Sequence, residues 1–342
     1  MLTVPIEAGP YTGMLAGNEP LPPETLSQLA EIKAWPGTGF ASTGSDPVMR
    51  HTLMLDGKPR HLAVKSFAPA GWLRDAHFKK AGSRARRSFL AAVRLHEAGV
   101  GTPRPFVFLE RWEGSRLHES YFLCDYAGEA TSFRDELNRL YLEDPLCRRI
   151  MRLMETVALA IADMHDAGVC HRDLGNQNIL LRRIDDDTWG EVQFIDLNRA
   201  HLTDALTLKE RARDISRIDL PSDFLRVFKC MYFRHQHPPP EFHRWEQSFR
   251  DRFARHTATR KYRHPIRQAR QRKKDAALPF VPRGRELWVW DDRSMQAVST
   301  LLSKDRKKLH TAAHHINTVR ALVPALAPVW SLYKDKLASA FT

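Results

Sequence analysis

The chain has 342 residues, enough to bury one large or two modest cores, and its 43% hydrophobic and 27% charged residues suit a soluble globular fold. No apolar run approaches the roughly 20 residues of a membrane span, Met1 to Glu7 lack the basic and apolar regions of a signal peptide, and Cys124, Cys147, Cys170 and Cys230 show no Cys-x-x-Cys spacing. That excludes a disulfide framework or zinc motif and predicts a reducing cytoplasm.

Residues 1–34 carry several prolines and little apolar periodicity, which predicts an irregular leader with one short helix near Glu24–Ala34. Next comes Trp35-Pro36-Gly37-Thr38-Gly39, where closely spaced glycines let backbone amides approach phosphates; Gly37 and Gly39 are the candidates for such a flap. A hairpin is predicted over Val48–Leu55 and Arg60–Phe67, with a turn at Asp56-Gly57-Lys58-Pro59. Its second strand ends in Ala63-Val64-Lys65, and Lys65 is the candidate to neutralise nucleotide phosphates. A basic helix follows over Gly82–Ala98, with Phe89, Val93 and Leu95 inward and Gly99 closing it. Strands are predicted at Phe106–Glu110 and Tyr121–Cys124, the second running into a short hinge, Asp125-Tyr126-Ala127-Gly128.

The clearest helix spans Leu146–Ala167, where Ile150, Leu153, Met154, Val157, Ile161 and Met164 repeat with a 3.6-residue period. Its methionines read as core filling. Gly168 ends it, and the chain enters Cys170-His171-Arg172-Asp173-Leu174-Gly175-Asn176-Gln177-Asn178-Ile179-Leu180-Leu181. The His-Arg-Asp-Leu-x-x-x-Asn spacing is that of a phosphotransferase catalytic loop. In that chemistry Asp173 accepts or orients the attacking hydroxyl, and the Asn178 amide oxygen holds magnesium against the phosphates. An apolar strand then returns as Glu191–Asp196, and Asp196 at its end is the expected second magnesium ligand.

Taken together, Ala63-Val64-Lys65, Gly99-Val100-Gly101-Thr102-Pro103-Arg104-Pro105, the His171–Leu181 loop and Phe194-Ile195-Asp196-Leu197-Asn198-Arg199-Ala200 resemble the lipopolysaccharide kinase family, the bacterial Kdo and heptose kinases. Asp-Leu-Asn-Arg-Ala stands where protein kinases of the eukaryotic type carry Asp-Phe-Gly, and the chain has no Ala-Pro-Glu. The resemblance covers about residues 35–255. It implies an α+β, two-lobed protein-kinase-like fold, with a small antiparallel-sheet lobe and a mainly helical lobe. It further implies ATP and Mg2+ as cofactors and a sugar hydroxyl of the lipopolysaccharide inner core as acceptor. Asp214, on the helix after the metal strand, becomes the candidate to buttress the catalytic loop. Ser88 stands where relatives carry the glutamate that pairs with the strand lysine, so Lys65 needs another acid or the enzyme is slow. The alternatives are an atypical bacterial protein kinase and a kinase-like nucleotide-binding protein without turnover.

The predicted organisation is a leader at 1–34, a sheet lobe at 35–126, a helical lobe at 127–255, and a basic connector with a helical C-terminal extension at 256–342. In that extension Ser294–Leu302 and His310–Leu337 read as helices. The formal net charge of +13 requires a partner or a reason, and ten Lys/Arg residues without one acid lie between Arg252 and Lys274. A solvated helix face and an anchor on anionic lipid head groups at the inner membrane face both fit. Sparse aromatics argue against nucleic acid, and an anionic glycolipid substrate suits the charge.

Overall fold

The computed structural model describes residues 1–263, apart from 36–37, 40–46, 56, 70, 129 and 145, together with 280–283, 286–290 and 295–300. The chain divides into two units, residues 1–245 and 246–342.

The first unit begins with strands β1 (Thr3–Ala8) and β2 (Tyr11–Ala16), helix α1 (Pro23–Ala30), and strands β3 (Thr38–Gly39), β4 (Val48–Leu55) and β5 (Lys58–Ser66). Helices α2 (Trp72–Ala81) and α3 (Arg84–Glu97) follow, then strands β6 (Pro105–Glu113) and β7 (Arg116–Asp125). All seven strands join one antiparallel sheet in the order β1-β2-β6-β7-β5-β4-β3. The irregular leader is therefore corrected: residues 3–16 are a hairpin whose second strand pairs with β6. Pro5 obscures it, yet a proline is tolerated there because β1 is the edge strand. Ile6, Tyr11 and Leu15 bury their side chains with Leu29 and Ile32 against Leu53, Leu62 and Leu109 of the sheet.

Beyond β7 come β8 (Thr131–Ser132), α4 (Phe133–Glu143), α5 (Arg148–Asp166), β9 (Val169–Cys170), β10 (Ile179–Arg183), β11 (Trp189–Phe194) and β12 (His201–Leu202). Helices α6 (Leu208–Ile215), α7 (Ser222–Tyr232) and α8 (Pro240–Arg263) complete this region. The α+β arrangement expected from the sequence is present, a seven-stranded antiparallel sheet followed by mainly helical structure. The periodic face of α5 (Ile150, Leu153, Met154, Val157, Ile161 and Met164) is fully buried at the centre of the largest core, each side chain contributing about 2 kcal/mol. Helix α3 joins the cores: Phe89 and Val93 pack with Phe67 and Phe108 of the sheet, while Ala91, Ala92 and Leu95 enter the helical core. Ser83 caps it by accepting the Arg86 amide, and Gly99 (φ 69°) turns the chain out.

The exit from α5 fixes the entrance to the loop that runs from His171 to Asn178. Gly168 adopts φ 78°, and a Cβ there would stand 1.9 Å from the Thr203 carbonyl oxygen. Left-handed strain alone is about 1–2 kcal/mol for a residue with a Cβ, and the β9–β12 pairing (Cys170 with His201, Val169 with Leu202) resists relaxation. Gly168→Ala is expected to lower stability by at least about 2 kcal/mol, read as a shift of the urea midpoint.

In the second unit β13 (Phe280–Arg283), β14 (Glu286–Trp290) and β15 (Met295–Thr300) form an antiparallel sheet. The Ser294–Leu302 helix and the wholly helical extension are thus corrected, because Met295–Thr300 pairs along β14. Helix α8 also runs into the basic tract, as far as Arg263. The rest of that tract and His310–Leu337 lie outside the described residues.

Candidate active site

The loop between β9 and β10 is held from beneath by Asp214 of α6, which is fully buried. Its carboxylate accepts the His171 amide at 2.5 Å and the Arg172 amide at 2.7 Å. His165 Nε2 lies 3.4 Å from the same carboxylate, and His165 Nδ1 is 2.7 Å from the Tyr232 hydroxyl. Burial pushes the Asp214 pKa up, but His165, His171 and the Arg172 amide outweigh it and hold the carboxyl below the usual range. The two amides can face one carboxylate because Arg172 takes a left-handed conformation, φ 62°. Its strain, of order 1 kcal/mol, is offset by two charge-assisted hydrogen bonds. The buttressing geometry expected of Asp214 is therefore observed.

His171 ties the loop to the end of β11. Its Nδ1 accepts the Asp173 amide at 3.3 Å, so Nε2 carries the ring proton and donates to the Ile195 carbonyl at 2.9 Å. Asn178 closes the loop from the other side by donating Nδ2 to the Asp173 carbonyl at 2.8 Å, while its carbonyl accepts the Ile195 amide at 3.0 Å. That commitment of Nδ2 leaves Oδ1 as the ligand atom of Asn178.

Lys65 lies on β5, between β4 and β7, opposite Val48 and Phe122. Its Nζ is 2.5 Å from Asp196 Oδ1. Asp196 directly follows Ile195 in a left-handed conformation (φ 61°) and opens the short turn Leu197–Arg199. Asn198 donates Nδ2 to the same Asp196 oxygen at 2.5 Å, leaving Oδ2 for a cation. Arg87 of α3 donates Nε to the Asn198 carbonyl at 3.0 Å, and Arg199 Nη1 stands 3.0 Å from Asp173 Oδ2. Lys65, Asp196, Asp173 and Asn178, far apart in the chain, thus form one network through the 197–199 turn.

The acid that meets Lys65 is Asp196. Ser88 is buried, with its hydroxyl donating to the Arg84 carbonyl at 2.9 Å, and Glu97 takes the Met1 amino group at 2.7 Å. Gly39 sits on β3 opposite Met49; Gly37 lies outside the described residues. Sequence reasoning missed the roles of Asn198, Arg199 and Arg87. The first two were visible as members of the Asp-Leu-Asn-Arg-Ala run, and Arg87 carried no signal beyond its charge.

Among the described residues no three His, Cys, Asp or Glu side chains stand together as a metal cage. Asp196 Oδ2 and Asn178 Oδ1 nonetheless fit magnesium, a hard ion that commonly uses one or two protein oxygens and completes its shell with phosphates and water. All four cysteines are free thiols. No helix among the described residues is long and apolar enough to cross a membrane.

Residues 64–224 match the profile of the lipopolysaccharide kinase (Kdo/WaaP) family. Over 179 residues the chain is 30% identical to the lipopolysaccharide core heptose(I) kinase WaaP of Pseudomonas aeruginosa, covering 49% of this chain and 65% of that protein. A solved structure of WaaP in complex with acyl carrier protein is similar at 26% identity and a TM-score of 0.49, across 65% of this chain and 88% of that one. Residues 64–224, which carry Lys65, the His171–Asn178 loop, Asp196 and Asp214, are thus the part of the chain that is similar to the lipopolysaccharide kinase (Kdo/WaaP) family.

Proposed function

We propose that this protein is an ATP- and magnesium-dependent kinase that phosphorylates a sugar hydroxyl, Kdo or heptose, of the lipopolysaccharide inner core. The observation that carries the reading is the network joining Lys65, Asp196, Asp173 and Asn178. In the proposed step the acceptor hydroxyl oxygen forms a bond to the γ-phosphorus of ATP. The bond from that phosphorus to the β-phosphate oxygen breaks, ADP leaves, and the hydroxyl proton goes to the Asp173 carboxylate. Lys65 holds the α/β-phosphates. Asn178 Oδ1 and Asp196 Oδ2 would hold magnesium, which when bound neutralises charge on the phosphates. The catalytic loop keeps its shape throughout because Asp214 and His171 anchor its backbone.

The test is incorporation of labelled phosphate from ATP into core oligosaccharide isolated from a strain lacking this protein, with lysate protein as the competing acceptor. Transfer to protein alone would favour an atypical protein kinase. A nucleotide-binding protein without turnover is the second reading, motivated by Ser88 in place of an acid on α3; thermal stabilisation by Mg-ATP with no transfer to any acceptor would establish it. Lys65→Met is expected to weaken ATP binding by about 10- to 100-fold, the range of a lost charge-assisted contact, measured by calorimetric titration. An unchanged affinity would remove Lys65 from the phosphate site.

We also propose a working place at the cytoplasmic face of the inner membrane, where an anionic glycolipid acceptor is presented. The positive charge between Arg252 and Lys274 supports it.

A further inference from the structure

Arg87 is half-buried on α3, and its guanidinium is given to main-chain carbonyls. Nε donates to the Asn198 carbonyl at 3.0 Å and Nη1 to the Gly82 carbonyl at 3.1 Å, while the group lies over the Phe78 ring of α2 at 5.4 Å. Burial lowers its pKa below the usual guanidinium range. A charge taken partly out of water is held there by the bonds that it makes.

The two carbonyls belong to different parts of the fold. Gly82 (φ 82°) is the turn between α2 and α3, and Asn198 is the middle of the Leu197–Arg199 turn that follows Asp196. One planar fork therefore fastens the start of α3 to that turn. The apolar side of the same junction is made by Leu197 and Ala200, which share a core with Ala91, Ala92 and Leu95 of α3. What the turn presents is Asp196, in a left-handed conformation that a residue with a Cβ adopts only under constraint. Its Oδ1 accepts both Lys65 Nζ and Asn198 Nδ2. Asn198 thus grips Asp196 with its side chain while Arg87 grips the main chain of Asn198.

In protein kinases an acid on the corresponding helix pairs with the strand lysine. Helix α3 offers none at Ser88, whose hydroxyl closes on the Arg84 carbonyl. We infer that Arg87 is a positioning residue for the turn after Asp196: by holding the Asn198 main chain it keeps Asp196 Oδ1 on Lys65 and leaves Oδ2 for the cation. The inference rests on the kinase reading above and adds the device that ties α3 to the metal side of the nucleotide site.

The experiment is calorimetric titration with ATP, in Mg2+ and in EDTA, on protein shown to be folded by thermal denaturation. Arg87→Met keeps the stem over Phe78 but has no donor. It is expected to weaken binding in Mg2+ by about tenfold, while binding in EDTA, which depends on Lys65, stays within about threefold. Arg87→Lys keeps the charge but cannot span both carbonyls, and should fall between Arg87→Met and the unaltered protein. Asn198→Ala should reproduce the Arg87→Met pattern. Because the two residues act in series, the double variant should be within about twofold of the weaker-binding single one. Equal weakening in both media, no weakening in either, additive effects of the two substitutions, or an Arg87→Lys protein that matches the unaltered one overturns the role of Arg87 while the kinase reading stands. Should Arg87→Met fail to fold, Arg87→Lys and Asn198→Ala carry the same comparison. An unaltered protein that binds ATP no better in Mg2+ than in EDTA overturns both.

Discussion

Replacing Asp173 with Ala is expected to lower the turnover of phosphoryl transfer by two to four decades while ATP affinity stays within about threefold. The separation follows from where Asp173 is tied. Its side chain meets Arg199, and its own carbonyl meets Asn178, whereas the lysine assigned to the phosphates is paired with Asp196. Removing the Asp173 carboxyl therefore takes away the proposed proton acceptor without touching the Lys65–Asp196 pair. The main-chain carbonyl that orients Asn178 remains. Asp173→Asn should fall nearly as far, because an amide of the same size accepts a hydrogen bond but not a proton at neutral pH. Turnover is read by a coupled ADP assay, affinity by titration, and folding by thermal denaturation. A turnover within tenfold of the unaltered protein would remove Asp173 from the proton-accepting role, and parallel loss of turnover, affinity and thermal transition would indicate misfolding.

The candidate site was legible because its parts are local. Asp173 and Asn178 lie in one loop, and Lys65 and Asp196 each close an apolar strand, so spacing alone singled them out. Helix α5 and the β4–β5 hairpin were legible because one face of each is buried, which writes a 3.6-residue period on Leu146–Ala167 and strand patterns on Val48–Leu55 and Lys58–Ser66. What the chain does not write locally was lost. The hairpin at residues 3–16 owes its existence to β6, nearly a hundred residues on, and its edge position lets it carry a proline that argues against a strand. Helix α2 shows no apolar face in its sequence, and α4 is short and begins at a Ser132 cap easily read as a turn. Met295–Thr300 was read as helix, although it pairs along β14 as a strand. The absence of an acid at Ser88 could be seen in the sequence. That Asp196 would take over as partner to Lys65 could not, since the two are 131 residues apart.

The largest stability effect should come from Asp214, because it is a fully buried carboxylate that holds two successive amides of the His171–Asn178 loop. Its two oxygens accept the amides of His171 and Arg172, and one of them also faces His165 Nε2, all away from water. Asp214→Ala leaves two buried N–H groups unmatched and the His165 proton without its acceptor. Breaking a buried charged network in this way costs about 3–5 kcal/mol, and at roughly 2–4 °C per kcal/mol for a unit of this size the thermal midpoint should fall by about 6–20 °C. Asp214→Asn keeps one acceptor oxygen but turns an NH2 group toward the remaining amide, so it should lose less stability and still distort the loop, lowering turnover with the nucleotide site intact. The acid limb separates this carboxylate from a neutral spacer. Its folded pKa lies below the ordinary carboxyl value of about 3.9. Its contribution is therefore complete above that value and is lost as pH falls through the lower folded one. Below about pH 3.9 the urea midpoint of the unaltered protein should fall more steeply than that of Asp214→Asn. Parallel curves for the two proteins would mean that the loop is held by something other than the charge on Asp214.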